Sequence, residues 1–149
     1  MDIRDHVALI TGGRRIGAVV ALELASRGAD VALSFNRSRA EAEETAAAVR
    51  TRGRRALLVQ ADLATADGCR SLVAQTVAGL GRLDVLVNMA SVYQAVPFDA
   101  LTDADLDRSL TVDLKAAYTC AIAAVPHMRA AGAGRIINIA DWLARSHRP

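Results

Sequence analysis

A glycine-rich turn is the segment with the clearest chemical potential. Residues 11–17 read TGGRRIG and lie between an apolar run, residues 7–10, and a stretch with helical spacing. Glycine lets a backbone approach a pyrophosphate closely, and the first turn of a helix offers free N–H groups to an anion. An ordinary strand-to-helix turn would also use glycine. The four strand-like runs that follow favour dinucleotide binding.

A second candidate segment follows the second strand-like run, where residues 34–38 read SFNRS. Folds specific for NAD usually place a carboxylate here to bind the ribose hydroxyls, and this segment has none. Arg37 could instead hold a 2′-phosphate, with Ser38 as a hydroxyl donor. The alternative is that Arg37 is a solvated loop residue and Ser38 caps the next helix. The missing acid favours NADP(H) over NAD(H).

Polar residues also follow the third and fourth strand-like runs, where Asp62 and Asn88 stand. In doubly wound sheets, ligands bind at the carboxyl ends of the strands. Both residues are therefore candidate cofactor contacts. Capping of a helix by Asp62 and turn formation by Asn88 remain equally open.

Alternating strands and helices must position these residues. Strands are predicted over residues 7–10, 31–35, 56–59, 83–87 and 135–139. The first predicted helix carries a face of Ile16, Val20 and Leu24, and the second covers residues 38–52 with an Arg39–Glu43 pair. A third helix is predicted from Cys69 to Leu80, and a fourth begins after a capping box formed by Thr102 and Asp105. The fifth is predicted from the spacing of Leu114, Ala117, Ala121, Val125 and Met128. The pattern predicts one α/β domain over residues 1–149, a Rossmann-type doubly wound parallel sheet with helices on both faces.

Composition narrows the function classes. The net charge is +2 and aromatic residues make up 3% of the chain, so neither a nucleic-acid nor a membrane partner is expected. No leader or membrane-length apolar run is evident, and no metal site is predicted. Cys69 and Cys120 are expected to be buried thiols in a reducing compartment, which predicts a cytoplasmic protein.

Taken together, these segments resemble the short-chain dehydrogenase/reductase family over the whole chain. The resemblance rests on Thr11-Gly12 with Ile16-Gly17, on Asp62-Leu63, on residues 86–91 (LVNMAS) and on residues 134–139 (GRIINI). The chain is most similar to the pteridine-reductase-like branch. That branch matches Arg15 in the glycine loop, Arg37-Ser38 after the second strand, Tyr93, and Asp141 in place of the usual catalytic serine.

The resemblance implies an NADP(H)-dependent oxidoreductase that transfers a hydride to a pterin or carbonyl substrate. It implies a substrate site containing Tyr93, Ser91 and Arg15, with Asp141 taking part in proton delivery. It also implies cofactor contacts from the strand ends and the glycine loop, namely Thr11, Gly12, Arg15, Ile16, Asn36, Arg37, Ser38, Asp62, Leu63, Asn88 and Ala90.

The chain departs from the family pattern at four places. The glycine loop is one residue short, Met89 replaces an asparagine, and Asp113 stands where a helix asparagine supports the active-site lysine. No Tyr-x-x-x-Lys is present, because Pro97 and Ile122 follow Tyr93 and Tyr118 at the lysine position. The family would place this motif soon after Pro149. The chain is therefore expected to be C-terminally truncated and inactive as a reductase.

A second interpretation is a non-catalytic nucleotide-binding or partner-binding module. A response-regulator receiver would need an acidic pair where Thr11-Gly12 stands, and a P-loop NTPase would need Gly-Lys-Ser/Thr. We expect a homo-oligomer formed through the 114–128 helix, and a non-catalytic module could use the same helix to pair with a full-length relative. Residues 135–139 should form an uncovered apolar edge strand, which would make the isolated chain prone to association.

Overall fold

The protein is described by a computed structural model over residues 2–92 and 94–140. Five strands form one parallel sheet in the order β3-β2-β1-β4-β5. The strands are β1 (Val7–Thr11), β2 (Asp30–Phe35), β3 (Ala56–Gln60), β4 (Val85–Asn88) and β5 (Arg135–Asn138). The predicted Rossmann-type doubly wound sheet is confirmed.

The described residues form five α-helices: α1 (Ile16–Ser26), α2 (Arg39–Arg50), α3 (Ala66–Leu80), α4 (Asp103–Ser109) and α5 (Ala116–Ala130). All of them except α4 pack against the sheet. Helices α1 and α2 pack on the sheet face that carries Ala8, Ile10 and Val31. Helices α3 and α5 pack on the opposite face, against Val7 and Leu9. Each inner strand is buried on both faces, which explains why its sequence is apolar without alternation.

The helix faces differ from the prediction. In α1 the buried residues are Gly17, Ala21 and Ala25, and Ile16 is 67% exposed. Small residues face the sheet because they let the helix backbone approach the strands closely. Val20 and Leu24 pack at the margin of that contact. The predicted face of Ile16, Val20 and Leu24 is therefore wrong by about one residue in register.

The helix predicted from Leu114 is also corrected. Residues Leu110–Lys115 form a π-helix, and α5 begins only at Ala116. The buried positions of α5 are Ala116, Cys120, Ala124 and Met128, so only the last residue of the predicted face is buried. The predicted capping box before α4 is confirmed, because Thr102 and Asp105 satisfy each other's backbone N–H groups.

Two buried acids hold the amino edge of the sheet. Asp84 accepts two hydrogen bonds of 2.7 Å from the Arg82 guanidinium and one of 2.9 Å from the Val7 N–H. Asp30 pairs with Arg54 at 3.0 Å and Arg55 at 2.7 Å. Both ion pairs lie at the amino edge, and the candidate site lies at the opposite edge, where the strands end. Among the described residues, no helix combines the length and hydropathy needed to cross a bilayer.

Candidate functional site

The candidate site lies at the carboxyl edge of the sheet, where the strand order reverses. The chain runs from β1 outward to β2 and β3, and then returns to place β4 on the other side of β1. The loops after β1 and β4 consequently diverge, and a crevice opens between them. Thr11 at the end of β1 lies beside Asn88 at the end of β4.

The glycine loop joins β1 to α1 through a backbone that only some residues tolerate. Gly12 has φ +91°, a conformation in which a side chain is strained. A Cβ on Gly17 would lie 2.0 Å from the Gly12 carbonyl oxygen, so the first turn of α1 can approach the loop only with glycine there. Arg15 has φ 50° and ψ −112°, a conformation normally adopted by glycine, and it precedes α1 without a side-chain cap.

The loop is fastened to its neighbours on the β2 side. The Ser34 hydroxyl accepts from the Gly12 N–H at 3.1 Å, and the Ser34 carbonyl accepts from the Gly13 N–H at 3.2 Å. The Thr45 hydroxyl of α2 lies 3.4 Å from the Gly13 carbonyl oxygen. By contrast, the backbone N–H groups of Arg14, Arg15 and Ile16 have no acceptor among the described residues. Three free donors at a helix start, beside positions without side chains, fit a pyrophosphate.

Asn36, Arg37 and Ser38 link β2 to α2 at the same edge. Arg37 is exposed, and no carboxylate of the described chain lies within 4.0 Å of its guanidinium. Ser38 occupies the position before α2, but its side chain makes no capping hydrogen bond. The capping alternative for Ser38 is therefore wrong. The pair suits a 2′-phosphate, which accepts hydrogen bonds from both side-chain types.

A small open cleft lies between the loops after β1, β3 and β4, the helical segment 112–117 and the end of β5. Five predicted site residues line it: Thr11, Leu63, Asn88, Ala90 and Asp113. Met89, Asn138 and Ile139 also line it, together with Val112, Ala116 and Ala117. The fold therefore brings residues from five separate segments of the sequence to one cavity.

Hydrogen bonds fix the shape of this cleft. The Thr11 hydroxyl accepts from the N–H groups of Met89 at 2.9 Å and Ala90 at 3.1 Å, which ties β1 to the loop after β4. The Asn88 amide donates to the Ala117 carbonyl at 3.3 Å and to the Asn138 side-chain oxygen at 2.9 Å. The Asn88 Oδ1 atom is buried and has no partner among the described residues. Asn88 thus belongs to β4 and to the cleft wall, and the turn-forming alternative is wrong.

Asp113 lies in the π-helix, a rare insertion that often marks functional sites. Its carboxylate accepts from the Val92 N–H at 3.1 Å, so it holds the loop after β4 against the helix. Asp113 therefore lines the cleft and contacts the loop after β4, and its carboxylate makes no hydrogen bond to β5.

The remaining predicted residues lie apart from the cleft or outside the described chain. Asp62 is exposed, and its carboxylate accepts from the Ala64 N–H at 3.0 Å; the cap of α3 is Thr65. Ser91 is exposed and does not line the cleft, although it directly follows Ala90, which does. Tyr93 and Asp141 fall outside the residues that the structure describes.

Three residues that shape the site were not picked out from the sequence as site residues. They are Ser34 and Thr45, which support the glycine loop, and Asn138, which partners Asn88. Ser34 is a buried polar residue inside β2, Thr45 lies on the buried face of α2, and Asn138 is the exposed last residue of β5. For Ser34 and Thr45 that pattern is a signal which sequence inspection can use, because buried polar groups require partners.

Comparison with known proteins agrees with this arrangement. Residues 6–148 match the family described as short chain dehydrogenase. The short-chain reductase protein NovJ of Streptomyces niveus is 38% identical over 145 residues, which cover 97% of this chain and 55% of NovJ. A short-chain dehydrogenase/reductase from Serratia marcescens is 37% identical with a TM-score of 0.91, and a short chain dehydrogenase from Burkholderia cenocepacia in complex with NADP is 35% identical with a TM-score of 0.92.

The chain spans 55% of the length of NovJ and 60% of each of these two solved chains, and both structural matches extend over the whole of this chain. The shared part contains the sheet, the glycine loop and the cleft described above. The chain therefore belongs to the short chain dehydrogenase family.

Proposed function

We propose that the chain binds NADP(H) at the carboxyl edge of the sheet. The observation that carries the proposal is the glycine loop, which presents three free N–H groups at the start of α1 beside Gly12 and Gly17. The preference for NADP(H) over NAD(H) is supported by Arg37 and Ser38 and by the absence of a carboxylate in residues 34–38. A relative of known structure was obtained in complex with NADP.

Within this proposal, each group of site residues has its own task. Thr11, Gly12, Arg15 and Ile16 accommodate the pyrophosphate, and Asn36, Arg37 and Ser38 hold the adenosine phosphate. Asp62, Leu63, Asn88 and Ala90 line the way from the adenine side to the cleft. A bound nicotinamide supplies the hydride. The chain's own residues orient the ring and limit the access of water.

We further propose that the reaction of the whole protein is reduction of a pterin or carbonyl compound. The support is the sequence resemblance at Arg15, Tyr93 and Asp141, together with Ser91 and Asp113 beside the cleft. Tyr93, Ser91 and Arg15 would contact the substrate, and Asp141 would take part in proton delivery. In a protein that contains these 149 residues and a Tyr-x-x-x-Lys, Asp141→Ala should reduce turnover of a dihydropterin far more than NADPH affinity.

Calorimetry with NADPH and NADH tests the cofactor proposal. A charge-assisted phosphate contact is worth about 1.5–3 kcal/mol, so Arg37→Ala should weaken NADPH binding about tenfold or more and leave NADH binding unchanged. Arg129→Ala is a matched control, since it removes an exposed arginine near the end of α5, away from the proposed site. Equal affinity of the parent chain for NADPH and NADH would refute the proposed preference.

A non-catalytic nucleotide-binding or partner-binding module is the second candidate, favoured by the lack of Tyr-x-x-x-Lys within the 149 residues. Loss of a positioned acid costs about 10²–10⁴-fold in rate, so we expect these residues alone to show no useful turnover. Oxidation of NADPH should be assayed with dihydropterin and carbonyl substrates, with and without a full-length relative. A normal enzymatic rate from the 149 residues alone would contradict this expectation.

An apolar stripe supports the proposal that the chain forms a homo-oligomer. Leu106, Leu110, Leu114, Tyr118 and Ile122 are spaced four residues apart and are 47–67% exposed. In a continuous α-helix this spacing would drift around the axis, because one turn takes 3.6 residues. The wider turn of the π-helix at Leu110–Lys115 offsets that drift. An exposed apolar stripe of this kind suits the same stripe of a second copy across a two-fold axis.

The mass of the protein in solution tests this interface. Tyr118→Lys should convert a dimer to a monomer, because it places a charge within the proposed apolar interface. Phe98→Lys is the control, since Phe98 is highly exposed but lies off the stripe. A monomeric parent chain, or a dimer that tolerates Tyr118→Lys, would refute the proposal.

A further inference from the structure

We propose that Glu41 is a determinant of coenzyme choice that weakens binding of the 2′-phosphate through its ion pair with Arg14. The proposal rests on the NADP(H) site described above, and it adds a residue outside the loop segments assigned to that site. Glu41 lies in the first turn of α2, and its carboxylate is 3.3 Å from the Nε atom of Arg14 in the glycine loop.

The geometry places this ion pair beside the adenosine end of the site. The Gly12 and Gly13 N–H groups are bonded to Ser34, near the end of β2, so the next loop residue, Arg14, emerges on the β2 side. Residues 36–38 leave the same strand end and lead directly into α2. Arg14, Arg37 and Ser38 therefore converge from two loops, and Glu41 lies one helical turn behind Ser38.

The charges at this point are not matched to a dianion. Arg37 has no carboxylate within 4.0 Å among the described residues, whereas Arg14 is partly neutralised by Glu41. Both side chains of the Arg14–Glu41 pair are about half exposed, so the pair can open at small cost. A 2′-phosphate must compete with Glu41 for the Arg14 guanidinium and must also lie close to a like charge. The uncharged 2′-hydroxyl of NADH meets neither penalty.

The acid is not needed for the local fold. The Thr45 hydroxyl bonds to the backbone carbonyl of Glu41, and this bond does not depend on the carboxylate. An acid in the first turn favours a helix slightly through the helix dipole, which is its alternative role. That role predicts an effect on stability and none on the choice between NADPH and NADH.

Dissociation constants for NADPH and NADH, measured on Glu41→Gln, test the proposal. The variant should bind NADPH about threefold to tenfold more tightly, the range expected for removal of one exposed like charge, with NADH binding unchanged. Glu44→Gln is the matched control, because it removes the same charge from the same helix at an exposed residue without an ion pair among the described residues. Its NADPH affinity should change less than twofold.

Arg14→Gln completes a double-mutant cycle. It should weaken NADPH binding, and Glu41→Gln should then have a smaller effect than in the parent chain, because the two residues act on the phosphate together. If Glu41→Gln leaves the ratio of the NADPH and NADH dissociation constants unchanged, or changes it no more than Glu44→Gln does, the inference is overturned. The proposed NADP(H) site is not affected by that result. Equal affinity of the parent chain for the two cofactors refutes the proposed preference for NADP(H), and failure to bind either cofactor overturns the proposed site itself.

Discussion

Replacement of Gly17 by alanine probes how closely the first turn of α1 must approach the glycine loop. A Cβ at this position would lie 2.0 Å from the Gly12 carbonyl oxygen, whereas ordinary carbon–oxygen contacts are about 3.3 Å or longer. The two groups must therefore separate by more than about 1 Å. Both belong to the backbone, so no side-chain rotation can relieve the clash. Movement of α1 would also displace the N–H groups proposed to bind the pyrophosphate.

The magnitude follows from two opposing terms. Alanine gains about 1 kcal/mol over glycine in a helix interior. Overpacking typically costs about 1–3 kcal/mol and more where the structure cannot adjust, and a backbone clash in a tight turn belongs to the latter case. We expect Gly17→Ala to lower the free energy of unfolding by about 2–4 kcal/mol and to weaken NADPH binding at least about tenfold.

Gly79→Ala is the matched control, because Gly79 lies in helix α3, at an exposed position. Its added Cβ would meet the Leu57 Cδ2 atom at 2.8 Å, and the end of a leucine side chain can turn away. The free energy of unfolding should stay within about 1 kcal/mol of the parent value. Urea unfolding and NADPH calorimetry measure both variants. If Gly17→Ala unfolds at the same urea concentration as the parent chain and keeps its NADPH affinity, the close approach of residue 17 to the Gly12 carbonyl is not required for stability or for NADPH binding.

Three further outcomes are expected. Arg15→Gly should raise the free energy of unfolding by about 1 kcal/mol in urea unfolding, because the positive φ of Arg15 suits glycine; a loss of stability would show that the Arg15 side chain holds the loop. Burial raises the pKa of Asp30, but hydrogen bonds from Arg55 and the charges of Arg54 and Arg55 outweigh it and leave that pKa below its usual value. The ionised Asp30 therefore stabilises the fold above about pH 4, and this contribution is lost as the pH falls through the lowered pKa. Asp30→Asn should make the free energy of unfolding fall less steeply with decreasing pH than in the parent chain. An equally steep fall in the variant would contradict this. Burial raises the pKa of Cys120 to about 12 and also raises that of Cys69. Iodoacetamide at pH 8 should therefore label neither thiol in the folded chain and both thiols in urea, as measured by mass spectrometry. Rapid labelling of the folded chain would contradict the burial of these thiols.

The order of the secondary-structure elements was predictable because it depends on local patterns. Apolar runs of four or five residues separated by helical spacing predicted all five strands and the two-sided parallel sheet. The capping box at Thr102 was predictable for the same reason, since its partners are three residues apart. Glycine and charge placement in residues 11–17 and 34–38 pointed to the carboxyl edge of the sheet, where the proposed cofactor site lies.

Contacts between distant segments were decided only by the tertiary structure. The return of β4 beside β1 brings Asn88 next to Thr11, which is 77 positions away, and no local pattern contains that pairing. The burial of Gly17, Ala21 and Ala25 in place of Ile16 depends on how closely α1 can approach the sheet. The Arg14–Glu41 pair depends on the path of the glycine loop and on the start of α2 together. Periodicity predicts which residues could be buried, but the distance between packed elements selects which of them are.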